Sequence, residues 1–230
     1  MTETIEGHIY KAFDLDLKEL KDKLRFQGTL VENAIQNAIK ALMERRSEIA
    51  EKVVKDDDIV NLKEVEIDEF CLKLLALRQP AARDLRFITT AIKINYDLER
   101  IGDMAVNICE RVLELNQEPQ LKPYIDLPKM TDITQNMVKE ALEAFLNEDV
   151  KLALKVTRDD EKVDQFLKQI FSELLTFMIQ DPATITRAVR VLFLAKYLER
   201  MADHAVDIAE LVLFMMEGKI IRHIKPVQET

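Results

Sequence analysis

The feature that most constrains this chain is a helical segment written twice. Leu98-Glu99-Arg100-Ile101-Gly102-Asp103-Met104-Ala105-Val106-Asn107-Ile108-Cys109-Glu110 returns, without a gap, as Leu198-Glu199-Arg200-Met201-Ala202-Asp203-His204-Ala205-Val206-Asp207-Ile208-Ala209-Glu210. Agreement this dense signals an internal duplication and restricts the fold to two copies of one unit. Each copy has helical periodicity. Phe87, Ala91, Ile94, Leu98, Ile101, Ala105, Ile108, Val112 and Leu115 step by three and four, as do Val191, Leu194, Leu198, Met201, Ala205, Ile208 and Val212. Such stripes bury against other helices.

The rest of the chain is helical by the same test. Gly (4) and Pro (6) are scarce among 230 residues, so little interrupts a helix, and no hairpin dipeptide separates alternating runs. A long helix is predicted from about Leu15 to Arg45, with Gly28 tolerated inside it at about 1 kcal/mol. Ser47 reads as the N-cap of a short segment to about Val54, and Asp56-Asp57-Asp58 as the start of a second helix. That helix runs to Gln79-Pro80, with Pro80 in the first turn of a third that fades at Asn116. Gln117 to Tyr124 is a Pro-containing connector. The plan then repeats: a helix to a turn near Asn147-Glu148-Asp149, a shorter piece to about Val156, and a helix opened by Asp159-Asp160-Glu161. Asp181-Pro182 breaks that helix, and a last one ends at Gly218. The expectation is an all-α fold of two tandem three-helix bundles: a first unit over 10–116, a second over 124–217 and a tail over 218–230.

Opposite each apolar stripe runs a row of acids. Glu99, Asp103, Asn107 and Glu110 share one helix face, and Glu199, Asp203, Asp207 and Glu210 the matching one. Most acidic helix faces are simply solvated, and Arg100 and Arg200 are in reach of Asp103 and Asp203. Yet like charges at i,i+4 repel, and both copies keep the row. Asp57 with Asn61, and Asp160 with Asp164, add oxygen ligands at the same spacing on the preceding helix. All-oxygen clusters suit hard cations: magnesium, manganese or ferric iron. Zinc is disfavoured there because no Cys/His set has its spacing. His204 stands about 100° round the helix from Asp203, off the row. The absence of Glu-x-x-His argues against a ferritin-like di-iron centre.

The net charge of −9 argues against nonspecific nucleic-acid binding. No uncharged apolar run reaches the roughly 20 residues of a membrane span, and the acidic start lacks a signal peptide's core. Cys71 and Cys109 occupy apolar helical positions as buried free thiols, which fits a reducing cytoplasm. Arg83, Arg86 and Lys93 are read as a solvated basic face rather than as anion contacts. No nucleophile, Gly-rich phosphate loop or histidine pair recommends an enzyme. A metal-free helical adaptor whose acidic faces dock basic partners is the alternative to a metal-carrying protein.

The paired Glu-Arg-x-x-Asp-x-Ala-x-x-Ile segments resemble the two signature motifs of the PhoU family of phosphate-uptake regulators. So do Glu64-Val65-Glu66-Ile67-Asp68 and the run from Leu75 to Arg86. The resemblance covers about Phe13 to Glu217. It implies a cytoplasmic homodimer linked to a phosphate ABC transporter, its ATPase included, and to the sensor kinase that controls phosphate-starvation genes. It also implies multinuclear metal clusters, iron foremost, on Glu/Asp-x-x-x-Asp motifs, matched here by Glu99 and Asp103, Glu199 and Asp203, and Asp160 and Asp164. The first unit departs at Asn61 and Asn107, where the second has Asp164 and Asp207. With Asp57 these complete the expected metal-ligand set.

Overall fold

The apolar stripes are the buried faces of the molecule. Leu98, Ile101, Ala105, Ile108 and Val112, like their counterparts Leu198, Met201, Ala205, Ile208 and Val212, are fully excluded from solvent. The computed structural model describes the backbone of residues 2–80 and 82–217 and the side chains of 12–80 and 82–216. Its helices are α1 (Thr2–Met43), α2 (Ser47–Arg78), α3 (Ala82–Asn116), α4 (Asp126–Asn147), α5 (Val150–Gln180) and α6 (Ile185–Glu217). A 3-10 turn, Pro182–Thr184, separates α5 from α6. Among the described residues there is no strand.

Helices α1, α2 and α3 pack on one another, and so do α4, α5 and α6, giving two tandem three-helix bundles. The bundles meet along α3 against α6 and α1 against α4. One continuous core results. The rings of Phe87 (α3) and Phe145 (α4) stack across the junction with centroids 4.7 Å apart. Lys21 Nζ (α1) donates to the Leu146 carbonyl (α4) at 2.9 Å.

Helices α1 and α4 end alike, so the duplication reaches into the caps. Arg45 and Glu148 adopt left-handed conformations, with φ of 52° and 57°. The next N–H reaches back in each case, Arg46 to the Ala41 carbonyl (3.0 Å) and Asp149 to the Ala144 carbonyl (2.8 Å). This closes the last turn in a Schellman pattern. A left-handed L-residue costs about 1–2 kcal/mol, offset here by contacts. Arg45 donates to the carbonyls of Asn116 (2.8 Å) and Glu118 (2.6 Å). The Glu148 carboxylate pairs with Arg83.

Several local expectations are corrected. Helix α1 begins at Thr2 rather than near Leu15. Ser47 is the first helical residue and not a cap; Arg46 precedes it without a side-chain cap, and Ser47 Oγ accepts from Asn116 Nδ2 at 3.2 Å. The acidic runs at 56–58 and 159–161 do not open helices but lie inside α2 and α5. The reason is packing: Val53 and Val60, and Val156 and Val163, are seven apart and keep one face buried straight through. Pro80 lies between helices, after a left-handed Gln79. Asp181–Pro182 does end α5. The expected stop at Gly218 and the tail to Thr230 fall outside the described residues.

Candidate functional site

Each acidic row lies beside a second helix, with Asp203 and Glu110 still open to solvent. In the first bundle α2 carries Asp57, Asn61 and Glu64, spaced by four and three on one face. Opposite them α3 carries Glu99 and Asp103. Burial raises the Asp57 carboxyl above its ordinary range, and the charge of Asp103 across the seam adds to it; the Asn61 amide, donating to Asp57 Oδ2 at 3.2 Å, opposes the shift. Burial likewise raises Glu99, with Asp103, Glu64 and Asp57 contributing. The sequence reading missed Glu64, though its place on the Asp57–Asn61 face was available from the spacing.

The second bundle repeats the plan with more acids. Asp160 on α5 is pushed up to about 6, by burial first and then by Asp203, Asp164 and Glu199. Asp203 is raised by burial, then by Glu199, with Lys196 opposing and Asp164 and Asp207 contributing. The inner glutamates are largely buried: the side chains of Glu99 and Glu199 keep 20% and 14% of their exposure. The rows split at their far ends, where Glu110 is exposed beside Arg111.

Local cations are few. Arg100 reaches Asp103 at 3.1 Å and Glu99 at 3.6 Å. In the second bundle Lys196 reaches Glu199 at 2.6 Å. Glu99 Oε2, Asp160 Oδ1 and Glu199 Oε2 are buried with no hydrogen-bond partner. Leaving such oxygens unmatched costs about 1–3 kcal/mol each, more when charged. Carboxylates from two helices, raised carboxyl pKa values and buried oxygens without hydrogen bonds together fit a hard cation.

Other predicted residues lie elsewhere. His204 turns toward the other bundle, its Nδ1 3.0 Å from Oδ1 of Asp97 on α3. Asp207 approaches that pair and still acts on Asp203. Asp97, 8% exposed, was not anticipated, because nothing within α3 marks it. Arg83 and Arg86 do not form a free basic face. Arg83 pairs with Glu148, Arg86 Nε donates to the Met215 carbonyl at 3.2 Å, and both line a cavity of about 550 Å³ with Lys18, Lys21 and Asp14. Lys93 is exposed and does not line it. Cys71 and Cys109 are free and buried, and burial pushes both thiols up to about 12.

The duplicated bundles match a known domain. The PhoU domain fits residues 24–112 and again residues 127–212. The chain belongs to the PhoU family. It is 42% identical over 208 residues to the phosphate-specific transport system accessory protein PhoU homolog of Aquifex aeolicus, covering 90% of this chain and 94% of that one. The homolog of the same name from Pseudomonas putida is 40% identical over 222 residues, 96% of this chain and 87% of the relative. The crystal structure of PhoU from Pseudomonas aeruginosa superposes with a TM-score of 0.86 at 39% identity, covering 90% of this chain and all of that one. The PhoU family is one of accessory proteins, not of enzymes. Among the described residues no helix is long and apolar enough to cross a membrane.

Proposed function

We propose that this protein is a cytoplasmic negative regulator of phosphate uptake and phosphate-starvation signalling. It acts by contact with the ATPase of a phosphate ABC transporter and with the sensor kinase, working as a homodimer. Family membership supports the transport link, since the relatives are by name accessory proteins of phosphate-specific transport.

The two carboxylate clusters carry metal in this reading, iron foremost, with magnesium and manganese as the other hard cations. The observation that carries it is the set of buried oxygens without a hydrogen bond on Glu99, Asp160 and Glu199. Asp57, Glu99 and Asp103 would hold metal in the first bundle, and Asp160, Asp164, Glu199 and Asp203 in the second, with Asp207 at its edge. Bound cations would neutralise the clusters and tie α2 to α3 and α5 to α6. The side chains supply only oxygen donors.

Elemental analysis of tag-free protein beside a Glu199→Gln/Asp203→Asn variant of equal helicity tests the site. The expected result is several ions per chain in the parent and a clear loss in the variant; an unchanged content rejects the assignment. Regulation is tested separately, in a bacterial strain lacking its own family member. Expression of this chain should silence a phosphate-starvation reporter at high phosphate. Undiminished reporter output with folded protein present rejects the regulatory reading. Metal-free parent protein that still silences the reporter would leave the clusters as docking faces for basic partners.

A further inference from the structure

The two copies of the repeated helix differ in a revealing way. Between 97–110 and 197–210 they part at six positions. Three exchanges are apolar: Ile101 for Met201, Gly102 for Ala202, Cys109 for Ala209. The polar ones are Asp97 against Tyr197, Met104 against His204, and Asn107 against Asp207. From each of those three pairs, the residue able to ligate a metal through a carboxylate or imidazole comes to one spot. Asp97, His204 and Asp207 each present one ligand atom, and these atoms lie within 4.8 Å of one another. The spot is on the seam where α3 of the first bundle packs on α6 of the second.

We propose that Asp97, His204 and Asp207 form a mononuclear site for a first-row divalent cation, zinc foremost, that joins the two bundles. The donor set differs from the all-oxygen clusters. One imidazole nitrogen and two carboxylate oxygens suit zinc, which takes His and Asp/Glu ligands and completes its coordination with water. Asp97 is 8% exposed, and its side chain and that of His204 keep 12% and 20% of their exposure. Asp97 and His204 are therefore held by packing against both bundles, while Asp207 is more open to solvent. A plain hydrogen bond between Asp97 and His204 explains their 3.0 Å contact. It gives no role to Asp207, a second carboxylate whose charge a cation would balance. Internal symmetry allows one such site per chain, because Tyr197, Met104 and Asn107 cannot reproduce it. Asp207 stands between this site and the edge of the second carboxylate cluster, so the site is tested with that cluster removed.

The test uses full-length, tag-free, metal-stripped protein in a Glu99→Gln/Asp103→Asn/Glu199→Gln/Asp203→Asn background, so that loss of both carboxylate clusters leaves this site readable. Cobalt(II) should give ligand-field absorption saturating at one ion per chain, and zinc should displace it. Zinc at a hundredfold excess over its dissociation constant should raise the melting midpoint by roughly 5–10 °C. Asp97→Asn, which keeps a polar contact with the ring, and His204→Gln should each abolish both signals. Signals that persist in either variant, or that are absent before mutation, overturn the proposal. Should a variant fold poorly, the unmutated chain still decides. It has three histidines, so the ring nitrogens of His204 can be resolved by nitrogen-15 NMR. Zinc that leaves the His204 ring nitrogens unmoved overturns the proposal; a selective shift of one of them supports it.

Discussion

Asp160 carries the clearest electrostatic cost among the carboxylates of the described residues. Its carboxyl is pushed from 3.8 up to about 6 by burial and by its acidic neighbours. Below about pH 4 both folded and unfolded chains hold this proton, and the group contributes nothing. Between about 4 and 6 the unfolded chain releases it while the folded one keeps it, so stability falls as pH rises. Above 6 the whole cost is present. Metal-free protein should therefore melt progressively lower from pH 4 to 6.5, and Asp160→Asn should flatten that part of the profile. Parallel profiles for the two proteins, measured with a chelator present, would contradict this account. The position of Asp160 was legible in its spacing from Asp164. Its burial was not, because depth depends on how closely α5 lies on α6.

At the scale of elements, the two bundles start corresponding helices differently. Asp149 caps α5, its side chain accepting from the N–H groups of Lys151 (2.9 Å) and Leu152 (3.0 Å). Arg46, in the same place before α2, makes no such bond. Asp149→Ala should cost about 1 kcal/mol, seen as a fall of roughly 2–4 °C in the melting midpoint. Arg46→Ala should lose no cap, and an equal fall there would show that the cap is not the cause. The acidic runs at 56–58 and 159–161 resemble helix starts because negative charge is favourable at an N-terminus. Here Asp57 and Asp160 serve the clusters from mid-helix, and the helices pass through because Val53, Val60, Val156 and Val163 keep their faces buried.

At the scale of the molecule, the bundles share one core. Phe145 is fully buried, and its ring stacks on Phe87 of the other bundle. Phe145→Ala should cost about 3–5 kcal/mol and lower the melting midpoint by roughly 10 °C. Calorimetry should still show one transition, because the cavity weakens both bundles together. Two resolved transitions would mean that the junction does not couple them. Gly28 belongs to the same junction. A Cβ there would fall 2.3 Å from Leu142 Cδ2, so the missing side chain lets α1 lie close to α4.

The sequence by itself determined the duplication, the helices, their buried stripes and the acidic rows with Glu99, Asp103, Glu199 and Asp203. These are periodic features, written within a few turns of one helix. Tertiary structure decided what those rows face. It set Glu64 beside Glu99, buried carboxylate oxygens without giving them hydrogen bonds, and brought Asp97 to His204. That last pair is 107 positions apart. A repeat's own periodicity carries no record of how its two copies pack, since the α3–α6 seam depends on the shapes of both helices at once.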